Sequence, residues 1–286
     1  MVSPLGPERC EAAGVEISFP AVMGVVNTTP DSFSDGGSLY QSRRLDLDKA
    51  FDRCVKMVEE GATILDIGGE STRPGSDPVS VEQELERVIP LVERLARSVD
   101  VALSLDTSTP EVMRQGAQAG AHIINDVRAL RRDGALEAAA STDLAICLMH
   151  MQGEPKTMQR QPHYSDVVQD VSDFLNQRID ACLTAGVDKK RLWIDPGFGF
   201  GKTLAHNIEL MQNIAYFCNG AYPVLVGVSR KSMIGAITGK GVDERRAGGL
   251  ALATFALMQG AHIIRTHDVG ATVDAVKVVM ALKGER

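Results

Sequence analysis

Polar side chains that can bind a small molecule stand directly after short apolar runs in this sequence. Asp106, Asn125 and Asp195 follow three such runs with short, rigid side chains. Two carboxylates and a carboxamide aimed into one pocket suit a heterocycle rich in N–H and C=O groups, such as an aminopyrimidinone, and Lys231 can donate to a ring carbonyl. A second set is cationic: Arg73, Arg230, Lys231, Arg265 and His267. Guanidinium groups with a histidine and Asn27 are equipment for holding a phosphate or diphosphate. Asn27 serves as a Mg2+ ligand only beside a diphosphate, because that cation keeps water and phosphate oxygens around it. Read singly, Asp106 and Asp195 can instead cap the turns that follow them, and Arg265 can instead pair with Asp66 or Glu70.

Two further motifs weaken on inspection. Gly197-Phe-Gly-Phe-Gly-Lys-Thr looks like a phosphate loop, but Pro196 stands where its first glycine is required. It reads as a glycine-rich loop after the sixth apolar run. Met149 and His150 could line a pocket, or His150 could move protons. No G-x-S-x-G nucleophile and no metal-spaced histidine pair is present.

The elements that must position these residues are eight short apolar runs: Val22–Val26, Ile64–Ile67, Val101–Leu105, His122–Ile124, Leu144–Met149, Leu192–Ile194, Val224–Val228 and His262–Ile264. They start about every 34 residues, the length of a βα unit. Between them lie helical patterns. Leu47, Ala50, Phe51, Cys54, Val55 and Val58 share one face before Gly61. Ser80 and Gln83 form a possible capping box, and Pro110 opens a third helix that stops at Gly120. Gly-Ala-His-Ile-Ile occurs at 120 and again at 260, with Gly61-Ala-Thr-Ile-Leu as a looser copy. Eight such units with no low-complexity linker predict a single (β/α)8 barrel over 16–286, with residues 1–15 as an extension. The turn after the first run, Asn27-Thr-Thr-Pro-Asp, is no dinucleotide fingerprint, which argues against an open doubly wound sheet. In a barrel the strand ends converge on one rim. That rim carries Asn27, Asp66, Glu70, Thr72, Arg73, Asp106, Asn125, His150, Asp195, Ser229, Arg230, Lys231, Arg265 and His267.

Composition narrows the function class. The 286 residues carry 30 basic and 37 acidic side chains, a net −7, so a general nucleic-acid-binding face is excluded while a local cationic pocket is not. Five cysteines without a CxxC pair build neither a disulfide framework nor a zinc site. Neither a signal peptide nor a membrane span is found, so a cytoplasmic protein with no membrane partner is expected.

Eight segments together resemble the dihydropteroate synthase family: VMGVVNTTPDSFSDGG at 22–37, ATILDIGGESTRPG at 62–75, SLDTSTPEV at 104–112, HIINDV at 122–127, LMHMQGEPKTMQ at 148–159, DPGFGFGKTLAHN at 195–207, VGVSRKSMIG at 226–235 and RTHDV at 265–269. They span nearly the whole chain in the family's order. The resemblance implies condensation of 6-hydroxymethyl-7,8-dihydropterin diphosphate with p-aminobenzoate to give 7,8-dihydropteroate and diphosphate. It implies that Asp106, Asn125, Asp195 and Lys231 hold the pterin, with Met149 and Phe200 lining its pocket. Arg265 and His267 would bind the diphosphate, Thr72 would contact it, and Asn27 would help hold Mg2+. The loops carrying Thr29–Phe33 and Ser71–Pro74, with Arg73 and Ser229, would close over p-aminobenzoate, the position sulfonamides occupy. A homodimer through barrel helices is also implied. Of the proposed ligands none is missing; Thr266 departs from an expected apolar residue, and the first fifteen or so residues match no motif. The alternatives are the pterin-binding domain of a methyltetrahydrofolate methyltransferase and a silent pterin-binding relative.

Overall fold

Each apolar run contributes a parallel strand in the computed structural model, which describes residues 7–29, 40–41, 44–70, 79–153 and 157–284. The strands are β1 (Ala21–Asn27), β2 (Ile64–Gly68), β3 (Ala102–Asp106), β4 (Ile123–Asp126), β5 (Ala145–Met149), β6 (Leu192–Asp195), β7 (Leu225–Val226) and β8 (Ile263–Thr266). They neighbour one another in the order β6-β5-β4-β3-β2-β1-β8-β7. The ring closes where Ile194 bridges Val224 and its N–H reaches Pro223 O at 2.9 Å. β7 is shorter than expected because Val228 O accepts the Lys231 N–H at 3.2 Å, which turns the chain early.

Ten α-helices among the described residues surround the strands. They are α1 (Leu47–Glu59), α2 (Val81–Ala96), α3 (Pro110–Gln118), α4 (Ala135–Ala140) and α5 (Val167–Thr184). After them come α6 (Leu204–Gln212), α7 (Ile214–Cys218), α8 (Ser232–Thr238), α9 (Arg246–Met258) and α10 (Val269–Lys283). The Ser80–Gln83 box caps α2 in both directions at 3.2 Å, and Pro110 opens α3. No helix of the described residues is long and apolar enough to cross a membrane.

Strand periodicity sorts side chains into two cores. Leu65, Ile67, Leu103, Leu105, Ile124, Ile146 and Leu148 face outward and pack under the helices. Met23, Ile64, Ala102, Ile123, Cys147, Trp193 and Ile263 face inward and fill the lower barrel. The same inward phase then reaches Asp66, Asp106, Asn125, Asp195 and Arg265. The barrel is therefore apolar below and polar above. A hairpin of Arg9–Ala12 and Val15–Ser18 closes the bottom, its buried Ala12 and Ile17 joining the inward cluster. The boundary expected between 15 and 16 falls within the second strand of this hairpin, whose first strand supplies the buried Ala12.

The pentapeptide repeat is a structural device. Gly61, Gly120 and Gly260 all take a left-handed φ of 96–100° at helix ends, a conformation that suits glycine. The histidine of each literal copy then makes a two-point bridge to the adjoining strand. His122 N donates to Leu103 O at 2.8 Å while Leu103 N donates to His122 Nδ1 at 3.0 Å. His262 does the same with Val224, at 3.1 Å in both directions. Both rings must be neutral to accept, and burial lowers both pKa values, that of His262 to about 4 with help from Lys283. A lowered histidine pKa contributes stability above the unfolded value of about 6.5, and that contribution is lost as pH falls through about 4. His262→Leu, which orphans the Val224 N–H, is expected to cost about 1–3 kcal/mol at pH 7 and to flatten the loss of stability between pH 6.5 and 4. Urea unfolding at a series of pH values measures both effects.

Candidate active site

A cavity of about 740 Å3 opens at the C-terminal ends of the strands. Of the sequence-predicted residues, Asn27, Asp106, Asn125, Met149, Asp195, Phe200, Ser229, Arg230, Lys231, Arg265 and His267 all line it. Thr72 and Arg73, with the loop segments 30–33 and 71–74, lie outside the described residues. Asp106, Asn125, Asp195 and Arg265 sit within the strands rather than just past them. An inward-facing polar residue can continue a strand as readily as an apolar one, so the end of hydrophobicity is not the end of the strand.

The floor of the cavity is built around Arg265. Its Nε donates to Asp66 at 2.6 Å and its Nη2 to Asp106 at 2.7 Å. Asp66 is fully buried and also accepts from Ser104 Oγ at 2.6 Å and Asn125 Nδ2 at 3.0 Å. Strand register makes this possible: Asp66 lies beside Ser104, and Asp106 beside both Gly68 and Asn125. A carboxylate can only accept hydrogen bonds, so Asp66 takes the nitrogen of the Asn125 carboxamide and fixes which end is which. The ion pair weighed for Arg265 is thus present, with Asp66 and with Asp106, and Arg265 lines the cavity as well. Glu70 pairs instead with Arg128 at 3.2 Å. Burial pushes the Asp106 carboxyl upward, opposed by Arg265 and reinforced by Asp66, Glu70 and Asp126. Asp66 and Asp106 outweigh the burial of the Arg265 guanidinium and push its pKa up.

One wall is mixed apolar and ionic. Val127, Met149, Met158 and Phe200 form its apolar face. The Lys231 ammonium stands 4.0 Å over the centre of the Phe200 ring, a cation–π contact. Asp195 accepts the Gly197 N–H at 2.7 Å, so it supports the following turn and lines the cavity together. Burial raises the Asp195 pKa to about 6 against the Gly197 N–H, Lys231, Lys202 and Arg265. Burial and Arg265 lower that of Lys231 to about 8, against Asp195 and Asp106.

The rim presents donors. Arg230 has a left-handed φ of 59°, and this kink lets Ser229 and Lys231 on either side of it both face the cavity. Its guanidinium is set by Asp268 at 3.2 Å. Ser229 Oγ accepts the His267 N–H at 3.2 Å and lies 3.0 Å from His267 Nδ1. Thr266, the departure from an apolar expectation, is buried and accepts from Asp268 N and Thr272 Oγ1, each at 3.1 Å, which fixes the chain just after His267. Among the described residues no group of three or more His, Cys, Asp or Glu could hold a metal ion. Asn27 offers one amide at the rim, a donor set that fits Mg2+ only where phosphate oxygens and water complete its shell.

His150 is absent from the cavity lining. Its ring is buried behind the wall, 4.9 Å from that of Phe174, with Nδ1 2.8 Å from Lys202 Nζ. β5 ends at Met149, so the alternation that points Met149 inward turns the next residue away. Sequence reasoning placed Asp66 on the rim and weighed it only as an ion-pair partner of Arg265, and missed Met158 and Gln159. Asp66 was findable from its inward phase with Ile64; Met158 and Gln159 lie in a loop, where no periodicity points to them. Asp66→Asn, which removes the charge shared by Arg265 and Asn125, is expected to cost about 3 kcal/mol of stability. Chemical denaturation checks this; a cost below about 1 kcal/mol would mean that Asp106 holds Arg265 unaided.

Comparison with known proteins agrees with this geometry. Residues 23–267 match the family described as pterin binding enzyme. The dihydropteroate synthase of Escherichia coli (strain K12) is 54% identical over 271 residues, covering 95% of this chain and 94% of that protein. The crystal structure of the Yersinia pestis dihydropteroate synthase with a sulfonamide drug complex superposes with a TM-score of 0.93 at 49% identity, covering 96% of this chain and 99% of that one. The Xanthomonas albilineans dihydropteroate synthase with 4-aminobenzoic acid gives 0.89 at 48% identity, covering 98% and 99%. The chain belongs to the pterin-binding enzyme family, with the dihydropteroate synthases.

Proposed function

We propose that this chain is a dihydropteroate synthase, joining 6-hydroxymethyl-7,8-dihydropterin diphosphate to p-aminobenzoate with release of diphosphate. The observation that carries the reading is the cavity itself: carboxylates and a carboxamide on its floor and wall, cations and hydroxyls on its rim. Asp195 accepts from the N–H groups of the aminopyrimidinone, Asn125 adds a fixed carboxamide, and Lys231 donates to the ring carbonyl. Met149 and Phe200 pack on the ring faces. Arg265 and His267 take the diphosphate, and Asn27 helps hold Mg2+, which when bound spreads the negative charge of that leaving group. Thr72 and Arg73 complete the diphosphate and p-aminobenzoate contacts, and Ser229 faces p-aminobenzoate, the position taken by sulfonamides.

The chemistry then needs no protein nucleophile. Cations on the rim stabilise the departing diphosphate, and the electron-rich dihydropterin supports the cationic methylene left behind. Asp106 lies at the cavity floor to favour that charge. The neutral arylamine attacks the methylene carbon, and the proton it loses as the C–N bond forms passes to water. The assembled form is a homodimer in this reading: exposed Phe255 and Met258 on α9 and Val278 and Leu282 on α10 supply apolar surface for a second copy. Its cellular site is the cytoplasm.

A coupled assay of diphosphate release with the pterin diphosphate, p-aminobenzoate and Mg2+ tests the function; no release above background would sink it. The pH dependence tests the roles. Pterin N–H groups favour ionised Asp195, so affinity is expected to be highest between about 6 and 8. It should fall toward tenfold per pH unit below that window, where a proton must leave Asp195, and weaken above it as Lys231 loses its charge. Calorimetry with a pterin lacking diphosphate reads both limbs, and Asp195→Asn is expected to abolish the acid limb along with most of the affinity.

A further inference from the structure

The lysine of the phosphate-loop-like stretch does not face the cavity. Lys202 is 3% exposed, and its ammonium donates to Gly197 O at 2.8 Å and Phe200 O at 3.2 Å, with His150 Nδ1 at 2.8 Å. Three acceptors use all three N–H groups of an ammonium. His150 acts as the third because burial, Lys202 and Arg131 press its pKa down to about 2 and keep the ring neutral. The loop is wound tightly around this charge. Gly197 has a φ of 71°, and a Cβ there would sit 1.9 Å from His150 O, so only glycine fits. The other side of the same loop faces the cavity through Phe198, Gly199 and Phe200.

We propose that Lys202 is a positioning residue for the pterin half of the site, its buried ammonium gathering the loop so that Phe200 is held beneath Lys231 and the Gly197 N–H is held on Asp195. The inference rests on the reading of the cavity as a pterin site. Lys202 acts as a built-in structural cation, replacing with one side chain what a bound metal ion does for carbonyl-rich loops elsewhere. Its charge also counts: burial and Lys231 lower the Lys202 pKa to about 7 against Asp195, so the ammonium is present through the acid limb of Asp195 near 6 and is lost above it. The charged and titratable groups acting on Asp195 are Lys202 on this loop, Lys231 after β7, Arg265 on β8 and Cys147 on β5. Removing one of the three cations favours protonated Asp195 and shifts the acid limb of pterin binding upward.

The test uses the full chain and 6-hydroxymethylpterin, measured by calorimetry from pH 5 to 8. Lys202→Met is expected to raise Kd for the pterin about tenfold or more. It should also move the acid limb above that of the unaltered protein while leaving KM for p-aminobenzoate unchanged. His150→Phe keeps the charge and removes one acceptor; it is expected to raise Kd by less and leave the acid limb in place. A folded Lys202→Met with unaltered affinity, or with weakened affinity and an unmoved limb, would overturn the proposal. If Lys202→Met does not fold, unaltered affinity in His150→Phe overturns it instead. Failure of the unaltered protein to bind the pterin would count against the reading of the cavity, a separate result.

Discussion

A guanidinium held between two carboxylates inside a barrel is the constraint around which this site is organised. Arg265 extends from β8, Asp66 from β2 and Asp106 from β3, and the three meet just above the apolar filling of the lower barrel. Each charge alone would be expensive at that depth; together, with Ser104 and Asn125 supplying further hydrogen bonds, they can be buried. Space was cleared for them. A Cβ at Gly68 would come within 3.2 Å of Asp106 Cβ, so the glycine at the end of β2 lets the carboxylate lie flat against its neighbour. The register of four strands is thereby written into the position of one arginine.

This arrangement separates two tasks that one site must perform. The floor and wall hold Asp66, Asp106 and Asp195 against Arg265 and Lys231, an excess of carboxylate suited to N–H donors and to transient positive charge. The rim holds Arg230, His267 and Ser229, suited to anionic oxygen. A substrate carrying a heterocycle at one end and a diphosphate at the other is oriented by that gradient before any chemistry takes place. Whole-chain charge conceals the gradient, because a net −7 is compatible with a locally cationic rim.

Much of this was legible from residues alone, for a physical reason. Period-two alternation between inward and outward faces makes barrel strands short, apolar and regularly spaced, and the end of an apolar run marks where polar residues meet the cavity. Of the sixteen residues expected there, twelve line one cavity, Glu70 among them; Asp66 is buried under Arg265, His150 faces away, and Thr72 and Arg73 lie outside the described residues. Partnership was less legible. An Arg265 pair with Asp66 or Glu70 was one reading of the sequence, but the choice of Asp66, the sharing with Asp106 and the pairing of Glu70 with Arg128 follow only from strand register and closure. The direction in which Lys202 points depends on three glycines with left-handed φ, which a string of letters shows as composition and not as path. His150 looked equivalent to its neighbours on the rim, yet one residue beyond Met149 faces the other way. Met149 was read as a pocket residue from its place at the end of the fifth run, whereas the role given to Phe200 came from family resemblance, since nothing in an isolated phenylalanine announces a ligand.

The lower barrel is filled by its own side chains, and the hairpin adds Ala12 and Ile17 to that packing beside Met23, Trp193 and Ile263. Among the described residues the cavity is therefore reached from the C-terminal ends of the strands alone. Two molecules held in such a cavity share its mouth, so the room taken by one narrows the path left to the other.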